Sequence, residues 1–183
     1  DKLSQVQFDK VINDSGVYGV IWSGLFDGNK CAVKMVQLSS GKRHSHKDIG
    51  YKPFYHDMFS KHKAMDPSAF ILETNNLIHL SKLGLAPKIY DSFLIQNPDE
   101  IHYGFIVMER LDGSIKDILL ERDLTTYEAK IAIKLIKSLH RDHGLAHGDL
   151  KPSNVGIRLN SHGEIKECLF IDCQKVKYKN KCT

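Results

Sequence analysis

The stretch CAVKMVQL, Cys31 to Leu38, limits the fold more than any other part of the chain. Read as a strand, it is apolar on both faces: Ala32 and Val36 on one, Cys31, Val33 and Met35 on the other. A strand of that kind has to be covered from both sides, so it belongs in a sheet packed against something else. Lys34 lies in its middle, and a buried ammonium without an anionic partner is costly. A lysine snorkelling from an edge strand is the blander alternative. The sequence offers a partner further on. Asp66-Pro67 reads as a helix start, an acceptor at the cap followed by proline at the first helical position. That helix runs to Leu83 and is ended by Gly84. Phe70, Leu77 and Leu80 mark its buried stripe, and Glu73 falls on the stripe at spacings of three and four. A Lys34–Glu73 pair is therefore expected.

The surrounding text supplies a sheet and then a helical half. VYGVIWSGLF is joined to the Lys34 strand by the hairpin turn DGNK, and the turn-rich NDSG precedes it after Ile12. KIYDSFLI and IHYGFIVMER form two more strand patterns across QNPDE. From Ser39 to Met65 the periodicity vanishes, which marks an insertion or long loop; His44, His46, His56 and His62 within it fit no compact zinc spacing. Beyond residue 110, short helical text surrounds SIKDILLE. A stronger helix opens at Thr125 with Glu128 completing a capping box. Ile131, Leu135 and Leu139 give it a buried stripe, and Gly144 closes it. VGIRL and IKECLFID make a last hairpin across NSHG. The expected class is α+β and two-lobed, in one domain spanning 1–183. A five-stranded antiparallel sheet with one long helix occupies about 1–110, a hinge about 110–114, and a reduced helical lobe about 115–183.

Composition excludes several functions. A net charge of +4 spread over 183 residues is too weak for a nucleic-acid binder. The lysine-rich tail KVKYKNKCT reads as a solvated end. The four cysteines show no metal-like spacing, and Cys31 and Cys168 sit in apolar runs, which suggests a reducing, cytosolic setting without disulfides. No apolar run is long enough to cross a membrane.

The chemistry concentrates in HGDLKPSNVGI, His147 to Ile157, a polar segment bounded by apolar ones. Asn154 precedes the first strand of the last hairpin and Asp172 ends the second. Folding the hairpin brings them to one mouth. An amide oxygen beside a carboxylate suits a hard divalent ion such as Mg²⁺. Asp149, five residues before Asn154, is left to face a substrate. Turn-forming and strand-capping roles explain each residue singly, but not the set. Gly16 and Gly19 in a strand–turn–strand would let backbone amides approach phosphate oxygens, a weak signal alone.

Taken together these elements resemble a eukaryotic-type protein kinase. GVYGVI, Gly16 to Ile21, is similar to the end of the glycine-rich loop, with Asp14 where its first glycine would stand; AVK, Ala32 to Lys34, is similar to the strand-lysine motif; and Glu73 matches the helix partner. FIVMERLDGS looks like the hinge and HGDLKPSN the catalytic loop. The resemblance implies ATP with Mg²⁺ or Mn²⁺ as cofactors. Ile12, Gly16, Gly19, Ala32, Lys34, Met108, Glu109 and Leu111 would line the nucleotide site. Met108 would guard the back of the adenine pocket, and Glu109 and Leu111 would offer it backbone groups. Asp149 would accept the hydroxyl proton, Lys151 would neutralise the transferring phosphoryl, and Asn154 and Asp172 would hold metal. Lys34 and Glu73 complete the catalytic set.

Three departures stand out. Gly148 replaces the arginine before the catalytic acid, Asp172-Cys173-Gln174 replaces the Asp-Phe-Gly triplet, and the sequence ends nine residues after Gln174. The expectation is a minimal, C-terminally shortened Ser/Thr kinase, similar to those of large DNA viruses or bacterial effectors. It would be constitutively active and act on a folded protein substrate, with no nucleic-acid or membrane partner. A pseudokinase binding module and a small-molecule kinase of the aminoglycoside or choline type are the alternatives.

Overall fold

The computed structural model describes residues 2–13, 18–39, 62–96 and 102–179. Gly16, Asp14, the histidines 44, 46 and 56, most of the 39–65 insertion, residues 97–100 of the QNPDE turn and Cys182 lie outside these residues. The chain divides into two compact units, one of 1–71 with 89–110 and one of 72–88 with 111–183.

The first unit is a five-stranded antiparallel sheet. Its strands are β1 (Val6–Asn13), β2 (Gly19–Phe26), β3 (Asn29–Leu38), β4 (Ile89–Gln96) and β5 (His102–Glu109), in the order β1-β2-β3-β5-β4. The β2–β3 connection is the expected tight hairpin: Asp27 and Gly28 both have positive φ, as a type I′ turn requires, and Phe26 pairs with Asn29. As its two-sided apolar pattern demands, β3 is central, flanked by β2 and β5. One face carries the core of Val6, Val20, Cys31, Val33, Met35, Tyr103, Phe105 and Val107. On β5, Gly104 has no side chain for a specific reason. A Cβ there would lie 2.6 Å from the ring of Phe70, so glycine makes room for the aromatic against the strand.

Helix α1 (Pro67–Lys82) starts where the sequence places it. The Asp66 carboxylate accepts the Ser68 backbone N–H at 2.8 Å and the Ser68 hydroxyl, and these bonds hold its pKa below the usual carboxylate value. Phe70, Glu73, Leu77 and Leu80 are all buried, so the stripe read from the spacing is the inward one.

The second unit holds α2 (Ile115–Glu121) and α3 (Thr126–Lys137). It also contains a three-stranded sheet, β6 (Gly113–Ser114), β8 (Val155–Leu159) and β9 (Ile165–Phe170), and a short ladder of β7 (Leu145–Ala146) with β10 (Lys177–Tyr178). Both helices open with a capping box, Ser114 with Asp117 and Thr125 with Glu128. Glu128 goes further than capping. Almost fully buried, it binds Arg122 through both oxygens at 2.7 Å and accepts the backbone N–H groups of Thr125 and Ile165, each at 2.9 Å. One carboxylate thus ties α3 to β9.

Two expectations need correction. The α3 helix does not run unbroken to Gly144: after Lys137 it widens into a π-helical turn, Ser138–Asp142. Positions four apart overshoot an α-turn of about 3.6 residues. A wider turn keeps Leu139, fully buried, in line with Leu135. The tail is also not wholly a solvated end. Lys177 and Tyr178 form β10, paired with Ala146 and Leu145, and the Lys179 N–H reaches the Gly144 carbonyl at 2.8 Å.

Candidate active site

The second unit assembles the acidic half of the site. β7 ends at Ala146 and delivers His147, whose ring is buried and tilted against Phe170 with centroids 4.8 Å apart. Burial lowers the imidazole pKa, outweighing the opposite pull of Asp172 and Asp149. The neutral ring accepts the Asp149 backbone N–H on Nδ1 at 3.4 Å. A buried histidine thus fixes the backbone of the residue that the sequence nominates as base.

Asp149 is about one-third exposed, and cationic and amide groups surround it. Lys151 Nζ lies 3.3 Å from Oδ2, Asn154 Nδ2 3.4 Å from Oδ2, and Lys175 Nζ 3.9 Å from Oδ1. The Lys151 hydrogen bond, then the fields of Lys151 and Lys175 and the Asn154 amide, hold the carboxyl below its ordinary pKa against partial desolvation. It is therefore ionised and able to accept a proton at neutral pH.

Asn154 closes the single 3₁₀ turn Pro152–Asn154 and is buried. Its amide nitrogen donates to the Asp149 carbonyl at 2.8 Å, which leaves Oδ1 as the acceptor end of the group. Its own carbonyl accepts the Ile171 N–H at 3.1 Å, one step beyond the Val155–Phe170 pair of the hairpin. The hairpin therefore sets Asn154 and Asp172 at the same end, as its register requires. Among the described residues no group of three or more His, Cys, Asp or Glu is placed to hold a metal. An amide oxygen with one or two carboxylates fits a divalent cation that takes its other ligands from phosphates and water, so the donor set suits Mg²⁺ or Mn²⁺.

The remaining predicted residues sit on regular elements. In the first unit, Ile12 lies on β1, Ala32 and the half-buried Lys34 on β3, and Met108 and Glu109 close β5; Ala32 pairs with Met108 and Cys31 with Glu109. Gly19 opens β2, and its lack of a side chain accommodates β3: a Cβ would stand 2.5 Å from the Met35 carbonyl oxygen. In the second unit, Leu111 packs on Gly156, where a Cβ would come within 2.4 Å of its Cδ1. Glu73 is fully buried on α1. Lys34 and Glu73 thus stand on the strand and the helix expected of them, one in each unit.

Two residues, Asn76 and Lys175, escaped the sequence reading, and a third, Gly148, was noted there only for the arginine it replaces. Gly148 has φ +77°, and a Cβ on it would lie 2.5 Å from the Lys175 carbonyl oxygen. The glycine therefore does more than omit an arginine: it lets the chain after Asp172 pass directly against the Asp149 loop. Asn76, three residues beyond Glu73, donates from Nδ2 to the carbonyls of Cys173 at 2.8 Å and Val176 at 3.3 Å. The Val176 N–H closes back on the Cys173 carbonyl at 3.2 Å. This pinned turn carries Lys175. A polar residue inside the apolar stripe of α1 was the available sign for Asn76. Lys175 was hidden among the alternating lysines of the tail.

No helix among the described residues is long and apolar enough to cross a membrane. Cys31, Cys168 and Cys173 are buried and outside any disulfide, and burial raises the Cys168 thiol pKa to about 11.

Among known proteins, the chain is similar to serine/threonine-protein kinase dkf-1 of Caenorhabditis elegans, 28% identical over 160 residues that make up 84% of this chain and 19% of that protein. It is similar to protein kinase wis1 of Schizosaccharomyces pombe, 25% identical over 162 residues, 85% of this chain and 22% of that one. A shorter match, 41% identical over 71 residues, covers 36% of this chain and 17% of the dual specificity mitogen-activated protein kinase kinase dSOR1 of Drosophila melanogaster. The chain spans about a fifth of the length of these relatives. The model of the lipopolysaccharide kinase (Kdo/WaaP) family matches residues 26–182, and on that match the chain belongs to this family of kinases.

Proposed function

We propose that this chain transfers the γ-phosphoryl group of ATP to a serine or threonine hydroxyl of a protein, assisted by a divalent cation. The observation that carries the reading is Asp149 with Lys151 at 3.3 Å and Asn154 bonded to the same residue. In transfer, the bond from the γ-phosphorus to the ADP oxygen breaks and a bond to the acceptor oxygen forms. The hydroxyl proton passes to Asp149, while Lys151 offsets charge on the moving phosphoryl. Asn154 and Asp172 would hold the cation, which when bound neutralises phosphate charge. Lys34, with Glu73 as its expected partner, would orient the phosphates. Ile12, Gly16, Gly19, Ala32, Met108, Glu109 and Leu111 would enclose the nucleotide. The relatives named as a serine/threonine-protein kinase and as a protein kinase support a protein acceptor, and the buried thiols support a cytosolic setting.

A second acceptor class has its own support: the family description names lipopolysaccharide, which puts a sugar hydroxyl in the same position. Incubation with γ-labelled ATP and Mg²⁺, separately with a folded-protein mixture and with lipopolysaccharide, distinguishes the two. Label in serine and threonine is the expected result. Label only in the sugar would replace the protein reading, and no label with either acceptor, despite ATP binding, would turn the chain into a nucleotide-binding module.

A further inference from the structure

Lys175 is the cation near the site that the kinase pattern does not assign. Its Nζ stands 3.9 Å from Asp149 Oδ1, while Lys151 stands 3.3 Å from Oδ2, so the two ammonium groups bracket the carboxylate from its two oxygens. Both lysine side chains are more than half exposed, at 52% for Lys151 and 61% for Lys175. Exposed pairs of this kind contribute little to stability, so folding energy does not account for the arrangement.

The backbone beneath Lys175 is, by contrast, fixed from several directions. Asn76 binds the carbonyls on either side of it, at Cys173 and Val176. The Val176 N–H closes the turn on Cys173, and Cys173 and Val176 are themselves buried. Gly148, in a conformation suited to glycine, admits the Lys175 carbonyl at a distance that any side chain would forbid. Immediately afterwards β10 pairs with β7. A rigid turn that presents a solvent-facing ammonium to the proposed base is arranged for something that enters from solvent carrying negative charge.

We propose that Lys175 is a second phosphoryl-binding residue of the transfer site. With Lys151 on the other side of Asp149, it engages the γ-phosphoryl oxygens as the phosphorus leaves the ADP oxygen and bonds to the acceptor. The proposal rests on the kinase reading of Asp149. In this arrangement charge on the moving group is met from both sides, and Lys175 contributes more in the transition state than in the bound ground state.

The test uses the 183-residue chain with Mg²⁺ and γ-labelled ATP alone, water serving as the acceptor, so that no protein substrate need be known. Single-turnover phosphate release is measured beside ATP affinity and thermal melting for wild type, Lys175→Met and Lys175→Arg. Lys175→Met is expected to slow release by about tenfold or more, with ATP affinity and melting temperature close to wild type. Lys175→Arg, which keeps the charge, restores most of the rate. Release by Lys175→Met at the wild-type rate overturns the proposal. So does a loss confined to ATP affinity, or one that arginine does not rescue. A wild-type chain that binds ATP but transfers its γ-phosphoryl neither to water nor to the folded-protein mixture or lipopolysaccharide removes the kinase reading itself, and the role of Lys175 with it; wild-type release with an indifferent Lys175→Met removes the role of Lys175 alone.

Discussion

At the scale of single residues, burial and charge assign different tasks to neighbours. Exposed lysines lower the Asp149 pKa, whereas burial lowers that of His147, two residues earlier. Replacing Asp149 with alanine should spare ATP binding and lower transfer by on the order of 10²–10⁴-fold, the usual contribution of a general base. Nucleotide titration alongside transfer assays checks this, and wild-type transfer in Asp149→Ala would remove the base assignment. Asp172→Ala should abolish the metal dependence of nucleotide binding, which titration with and without Mg²⁺ will show. Lys34→Met should weaken phosphate positioning, and Glu73→Gln should do so to a smaller degree. An activity-neutral Glu73→Gln would remove the pair. The Lys34 strand and the Glu73 stripe were legible because a charge in an apolar period is a local anomaly. Lys175 was not legible, because a lysine among lysines carries no anomaly and only the tertiary turn gives it an address.

Among the elements, those with caps or long periods could be read from the sequence. Asp66 starts α1 and Thr125 starts α3 as the sequence reading has them, because an oxygen at the cap satisfies free N–H groups locally; Ser114 caps α2 in the same way, where only the helical text of SIKDILLE was read. The ladder of β7 and β10 could not be read, since two-residue strands have no period, and neither could the π turn, whose reason is the packing of Leu139. The Glu128 hub belongs to this scale. Glu128→Ala leaves the Ile165 N–H and the Arg122 guanidinium without their acceptor and should cost about 2–4 kcal/mol, measured by denaturant unfolding. The sign with pH follows from the depressed carboxyl. Arg122 and the backbone donors hold the folded-state pKa well below the ordinary value. The stabilisation is therefore complete above that ordinary value and disappears as pH falls below it. Melting temperature against pH should lose part of its acid limb in Glu128→Gln; an unchanged limb would show that Glu128 is not its source.

For the whole molecule, the α+β class and the five-stranded sheet followed from the alternation of strand and helix text, and the ordered motifs led to a protein-kinase-like family. What the sequence could not give was the acceptor, since that depends on surfaces rather than on periods. The turn that carries Lys175 is set by Asn76, Gly148 and β10, all within the fold and none needing a phosphate group. Activity should accordingly survive treatment of the purified protein with a phosphatase. Loss of activity on dephosphorylation would show that a modification sets the site. Folded proteins should also be better acceptors than degenerate peptides, and strong, motif-specific peptide labelling would count against that.

Gly148 has a consequence for how such a protein can change. In the resembled kinases an arginine before the catalytic acid is the receiver for a regulatory phosphate. Here that position has φ +77° and the Lys175 carbonyl 2.5 Å from where a Cβ would be. Placing arginine there would displace the turn that Asn76 holds before any phosphate could be received. Control by phosphorylation is therefore out of reach of any single substitution at this site: the receiver and the turn would have to be exchanged together, and each intermediate would be a damaged enzyme.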